Sequence, residues 1–99
     1  MQQEIKIINT KDAAPAAGHY VQATAFQNLV FVSGQLPVRP DGTHTFSEPF
    51  EIQARQAISN LLEIVKEAGS NPSQIRKVTV YIVGVKYWPE FNRIYAEML

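Results

Sequence analysis

No cysteine occurs in the 99 residues. Disulfide bridges and thiolate metal sites are therefore excluded, and nothing in the composition calls for an oxidising compartment. A cytoplasmic protein is expected. Charge of one sign is lacking too: nine Lys and Arg stand against nine Asp and Glu, and the basic residues are scattered from Lys6 to Arg93. Binding a polyanion requires clustered cations, so nucleic acid is disfavoured as a partner. No run approaches the ~20 apolar residues of a membrane span, and residues 1–12 lack the basic-then-apolar order of a secretion signal. Neither insertion nor export is expected. Histidine is scarce as well; His19 and His44 lie far apart in loop-like sequence, and no metal site is expected from them.

What is present describes one small domain spanning residues 1–99. The chain is 45% hydrophobic and 18% charged, and a chain of this size buries only roughly 60 to 65% of the surface its unfolded form exposes. With disulfides excluded, association between subunits is the remaining source of extra stability. The run Glu4–Ile8 alternates weakly and reads as a short strand, and residues 9–18 read as a loop. Two β-rich runs follow, Tyr20–Phe26 and Leu29–Ser33, separated by Gln27-Asn28. That spacing predicts a hairpin with Asn28 supplying the positive φ of the turn. Residues 34–47 carry turn chemistry. Ser47 is expected to cap a helix whose first turn holds Pro49 and Glu51, and whose apolar stripe runs through Ala54, Ile58, Leu61, Leu62, Val65 and Ala68 to a stop at Gly69. A further strand is expected over Ile75–Val83, with Val78, Val80 and Ile82 on one face. A second helix starts near Trp88-Pro89 and presents Phe91, Ile94, Tyr95, Met98 and Leu99.

The order β, β, β, α, β, α places the chain in the α+β class, with one mixed sheet and both helices packed on one of its faces. Leu29–Val32 and Ile75–Val83 are apolar on both sides of the pleat. Since no third layer exists to cover the second face, a partner subunit is expected there.

Few residues carry chemistry in their own right. Glu63 and Glu67 stand one helical turn apart beside Lys66 and read as a solvated face. Ser33-Gly34-Gln35 closes an apolar strand, a place where backbone N–H groups become free and a ligand can approach closely. From composition alone the favoured reading is that Gly34 turns the chain and Ser33 bonds back to the backbone. Tyr20 and Asn92 are ambiguous in the same way, between ligand contact on one hand and packing or solvation on the other.

Five passages then fall together: APAAGHYVQ from Ala14, VSGQLP from Val32, QARQAISNL from Gln53, VTVY from Val78 and FNRIY from Phe91. In this order they resemble the RidA (YjgF) family of enamine and imine deaminases, over nearly the whole chain. The resemblance implies a homotrimer of chorismate-mutase-like fold, with helices outside, sheets around a central barrel and clefts between subunits. It further implies hydrolysis of 2-aminoacrylate and 2-iminobutanoate to 2-keto acids and ammonia, without a cofactor. Tyr20 takes the position of a catalytic hydroxyl, and Ser33, Gly34 and Asn92 those of substrate-binding groups. Two departures stand out. His19 precedes Tyr20 where many members have proline. The family's carboxylate-binding arginine and water-activating glutamate, which come later in its pattern, find no match through Leu99, and Arg39, Arg55, Arg76 and Arg93 read as solvated charges. The expectation is a RidA-like domain interrupted before its C-terminal strands and inactive by itself. A non-catalytic small-molecule-binding or regulatory member of the family is the alternative, and an endoribonuclease is a more remote one.

Overall fold

The computed structural model describes residues 4–99, so the first three residues of the expected domain lie outside the described residues. Strands β1 (Lys6–Ile8), β2 (Ala23–Phe26) and β3 (Leu29–Val32) form an antiparallel sheet in the order β1-β2-β3. Helix α1 spans Phe50–Glu67 and α2 spans Trp88–Met98, with short 3-10 turns at Pro72–Gln74 and Val85–Tyr87 between them.

The hairpin forms where the sequence places it, with Phe26 opposite Leu29 across a two-residue turn. Its positive φ falls on Gln27, at 59°, rather than on Asn28. The first turn position is the one that must curl back here, and a straight side chain pointing into solvent tolerates it for about 1 kcal/mol. Pleat alternation then sorts the side chains. Ile8, Ala23, Ala25, Val30 and Val32 turn inward and pack with Ala13, with Ile64 of α1 and with Ala68 just past its end. The alanines are small enough to let a helix lie close to the strands. Ile7, Leu29 and Phe31 occupy the opposite face and are each more than half exposed.

Ser47 does not cap α1, contrary to the sequence expectation. The helix begins after Pro49, whose φ of −57° and ψ of 157° leave Ser47 upstream of the capping position. The entry turn is held instead from inside the helix, where Gln53 Nε2 donates to the carbonyls of Phe46 and Glu48 at 3.2 and 2.8 Å. The C-terminus ends as Gly69 foretells. With Gly69 at φ 83°, its N–H donates to Lys66 O and that of Ser70 to Val65 O, each at 3.0 Å, which satisfies carbonyls the helix itself leaves open.

The fourth strand is a correction. Residues 75–82 pair with no described strand, so the sheet is wholly antiparallel rather than mixed. An extended segment becomes a strand only beside a partner that exchanges N–H and C=O groups with it, and no described strand lies there. The alternation itself is present: Val78, Val80 and Ile82 are half-buried, while Tyr81 and Val83 are exposed. Helix α2 also departs from the expected layer. Its apolar stripe, Phe91 and Ile94 with Tyr95, Met98 and Leu99, packs on Ala54 and Ile58 of α1 and on Val80 and Ile82. The protein therefore has two cores set along one long helix, one against the sheet and one against α2, within extents of 50 × 27 × 19 Å.

Above the second core, charges bridge the helices. Arg55 contacts Glu51 Oε2 and Glu97 Oε2, both at 2.9 Å, and Arg93 contacts Glu51 at 3.5 Å and Glu97 at 3.8 Å. Arg55 and Arg93, read from the sequence as solvated charges, thus tie α1 to α2. The hydrogen bond from Arg55 holds the carboxyls of both Glu51 and Glu97 below the usual carboxylate range, and Arg93 adds attraction to each. Solvent screens such pairs, so each contributes little alone. A carboxyl whose pKa is lowered by folding stabilises the folded state above its unfolded pKa of about 4.3, and that contribution is lost as pH falls through the folded value. We predict that the urea midpoint falls on acidification below about pH 4.5, and that Glu51→Gln with Glu97→Gln flattens this fall. An unchanged acid profile in the double variant contradicts the account.

Candidate functional site

A concavity of about 190 Å³ lies between the Ala14–Ala17 segment and residues 34–44. Tyr20, Gln22, Gly34 to Leu36 and His44 are among the residues lining it. Strand β3 delivers Gly34 and Gln35 to the site by ending just before them, where the ladder stops and the backbone is no longer paired to a neighbour.

Two buried carboxamides build these walls. Asn60, fully buried in α1, accepts from the Ala14 N–H at Oδ1 (3.3 Å) and donates from Nδ2 to the carbonyls of Leu36 and Val38 (3.2 and 2.8 Å). Gln56 Nε2 donates to the same Oδ1 at 3.0 Å. One side chain thereby fixes both walls to the helix. Gln22, 3% exposed, accepts from the Thr10 N–H at 2.6 Å and donates to the carbonyls of Thr10 and Ala14 at 3.0 and 2.8 Å. These loop groups have no ladder to join, and an unpaired buried polar group costs about 1–3 kcal/mol. The carboxamides supply the missing partners. Neither residue was singled out in the sequence, although a signal existed for Asn60: it lies one turn before Ile64 on the buried side of α1, where a polar residue requires partners.

The sequence-selected residues divide. Tyr20 lines the groove and is 47% exposed, and its hydroxyl accepts from the Ala17 N–H at 3.4 Å. Its ring lies over Gly18, where a Cβ would come within 3.1 Å of ring carbon Cε1, so glycine permits the close approach. Gly34 also lines the groove, with nothing within 4 Å of the position a Cβ would take. Ser33 precedes it and is tied inward: its hydroxyl donates to Val21 O at 2.7 Å and its N–H to Gln22 O at 2.9 Å. That bond occupies the hydroxyl proton and leaves the oxygen able to accept. Asn92 is exposed on α2 and lies outside the groove lining. The structure brings Tyr20 and Gly34 together, with Ser33 behind them, and leaves Asn92 apart within one chain. His19 is exposed and Glu67 is exposed, neither lining the groove. Among the described residues no three His, Asp or Glu side chains converge as a metal site, and no helix is long and apolar enough to cross a membrane.

Comparison with known proteins follows this geometry. A family model described as Endoribonuclease L-PSP matches residues 10–99. Protein MMF1, mitochondrial, of Saccharomyces cerevisiae is 39% identical over 90 residues, which cover 91% of this chain and 61% of that protein. Reactive Intermediate Deaminase A, chloroplastic, of Arabidopsis thaliana is 35% identical over 92 residues, covering 93% of this chain and 49% of its own length. The chain thus spans about half to three-fifths of these two relatives. Among solved structures, E. coli TdcF with bound serine superposes with a TM-score of 0.87 at 36% identity, covering 93% of this chain and 72% of that one.

Proposed function

Because the chain belongs to the Endoribonuclease L-PSP family, which is the Rid family of its deaminase-named relatives, we propose that it is a subunit of a hydrolytic imine deaminase. It acts on 2-aminoacrylate and 2-iminobutanoate, yielding 2-keto acids and ammonia. The observation carrying this reading is the groove that gathers the Tyr20 hydroxyl and the open backbone of Gly34 at the end of an apolar strand. 2-Aminoacrylate, an enamine, first gains a proton at its terminal carbon as its nitrogen loses one and becomes the imine; water then adds to the imine carbon of either substrate while the nitrogen takes a proton, giving a carbinolamine. Cleavage of the C–N bond then releases ammonia as the hydroxyl becomes the carbonyl. The reaction requires water and substrate held in register within about 3 to 3.5 Å, which polar side chains and backbone groups accomplish without a cofactor. In our reading the Tyr20 hydroxyl hydrogen-bonds the substrate or the attacking water. The oxygen of Ser33, its proton committed to Val21 O, accepts from the imine N–H.

Asn92 fits the reading only if subunits combine. We propose a homotrimer in which the open sheet face of Ile7, Leu29 and Phe31 is covered by neighbouring copies, and in which Asn92 of one copy completes the cleft of another. The cytoplasm remains our proposed compartment, although two relatives carry mitochondrial and chloroplastic names. A second reading, a small-molecule-binding or regulatory member without turnover, is favoured by one observation: no lysine or arginine lines the groove to hold a substrate carboxylate. The same observation weighs against ribonuclease chemistry, since RNA binding relies on cations at the phosphates.

Ammonia release from 2-iminobutanoate, generated in situ by an amino acid oxidase, tests the reaction. Residues 1–99 alone should turn over far more slowly than the Arabidopsis relative. In a chain carrying the family's C-terminal strands, Tyr20→Phe and Asn92→Ala should lower kcat/KM while changing stability by about 1 kcal/mol or less. Full activity in both variants removes these residues from the site. For assembly, sedimentation equilibrium should give a trimer at micromolar concentration, and a stable monomer contradicts the proposed interface.

A further inference from the structure

His44 has no part in the reading above, yet the fold places it with care. Residues 37–45 form a tight hairpin in which Val38 bridges His44, and Arg39 N–H donates to Thr43 O at 2.9 Å. Thr45, next to His44, is fully buried; its hydroxyl and its N–H both donate to Pro37 O, at 2.6 and 3.1 Å. Alternation along a paired segment sends the neighbouring side chain the other way. His44 is accordingly exposed in the groove lining, its ring resting on Phe46 with centroids 4.4 Å apart. The hairpin is itself anchored to α1, because Asn60 donates to the carbonyl of Val38, the residue that bridges His44.

The groove lining contains two titratable side chains, Tyr20 and His44, and His44 alone of these can be a cation. The facing Ala14–Ala17 wall has no charged residue. On the hairpin, Arg39 lies 4.0 Å from Glu48 and Asp41 accepts from Thr43. Neither Arg39 nor Asp41 is part of the lining. His19, beside Tyr20 in the chain, also lies outside it. The related TdcF was solved with bound serine, a carboxylate-bearing ligand.

We propose that His44 reads the carboxylate of a small acid bound in this groove. The inference rests on the groove being the substrate site, and it names the residue that recognises the acid end of the ligand. An imidazolium is an N–H donor that also attracts the anion, whereas neutral imidazole retains only the hydrogen bond. Affinity for a carboxylate therefore falls as pH rises through the range in which histidines titrate.

The probes are pyruvate and its neutral amide, pyruvamide, titrated into the protein while the amide signals of Gly34 and Gly42 are followed by NMR. Pyruvate should bind about tenfold more tightly at about pH 5.5 than at about pH 8, the scale of one charge-assisted contact near solvent. Pyruvamide should show no such dependence. His44→Gln should abolish the difference by weakening binding at the lower pH, while His44→Arg should bind equally at both. His19→Gln should behave as the unsubstituted protein does. Persistence of the tenfold difference in His44→Gln overturns the proposal, as does the same pH dependence with pyruvamide. So does the lack of any shift at Gly34 and Gly42 at either pH. Ammonia release reports separately on the reaction: pyruvate binding as described without turnover rejects the deaminase reading alone, and turnover with pH-independent binding rejects His44 alone.

Discussion

The carboxamide of Asn60 is the constraint on which the groove depends. A helix and two loops meet around it, and neither loop has a strand partner for its inward-facing backbone. The Ala14 N–H and the carbonyls of Leu36 and Val38 all point at one fully buried side chain that offers both an acceptor and two donors. Only asparagine or glutamine presents that combination. A leucine of similar size leaves the Ala14 N–H and the Val38 carbonyl unpaired, each at about 1–3 kcal/mol, while the Leu36 carbonyl keeps only the Val38 N–H at 2.8 Å. Everything nearer the solvent, including the lie of Tyr20 over Gly18 and the hairpin carrying His44, is positioned downstream of that anchor.

The two ends of α1 work by different physics. Toward the sheet, Ile64 and Ala68 meet alanines and valines in a dry contact, while Asn60 and Gln22 satisfy the backbone around the groove. Toward α2, aromatic and aliphatic side chains form the contact, and Arg55 and Arg93 span the outside with Glu51 and Glu97. Those ion pairs sit in solvent and respond to pH and salt; the buried carboxamides do not. The site is therefore tied to the part of the protein least sensitive to conditions. The outer sheet face is the converse case: Leu29 and Phe31, each 57% exposed, place apolar surface in water.

How far the sequence could be read follows from the range of each interaction. The hairpin, α1 with its Gly69 stop and the α2 stripe are local, carried by turn chemistry and helical periodicity, and they stand within a few residues of expectation. Val78, Val80 and Ile82 were assigned to the correct face, but a strand is a pairwise object, and periodicity in Ile75–Val83 carries no information about whether a neighbour stands alongside. Ser47 misled because its spacing to the stripe matched a cap, whereas the geometry of Pro49 moved the helix start. In the site, Tyr20 and Gly34 were legible through the order of motifs that mark the family. Asn60 and Gln22 are not, because the loop backbone each one satisfies lies between eight and 46 positions away, and no local pattern records such a contact; His44 is not, because nothing in the sequence tells a loop histidine in a groove lining from one on open surface.

Amide hydrogen exchange at Ala14 tests the central claim most directly. If Asn60 locks the Ala14–Ala17 wall onto α1, the Ala14 N–H exchanges about as slowly as the core amides of α1, and Asn60→Leu accelerates it together with the amides of Leu36 and Val38. Exchange of Ala14 at the rate of an exposed loop amide in the unsubstituted protein would contradict the account, because the groove would then lack the anchor from which its geometry is derived.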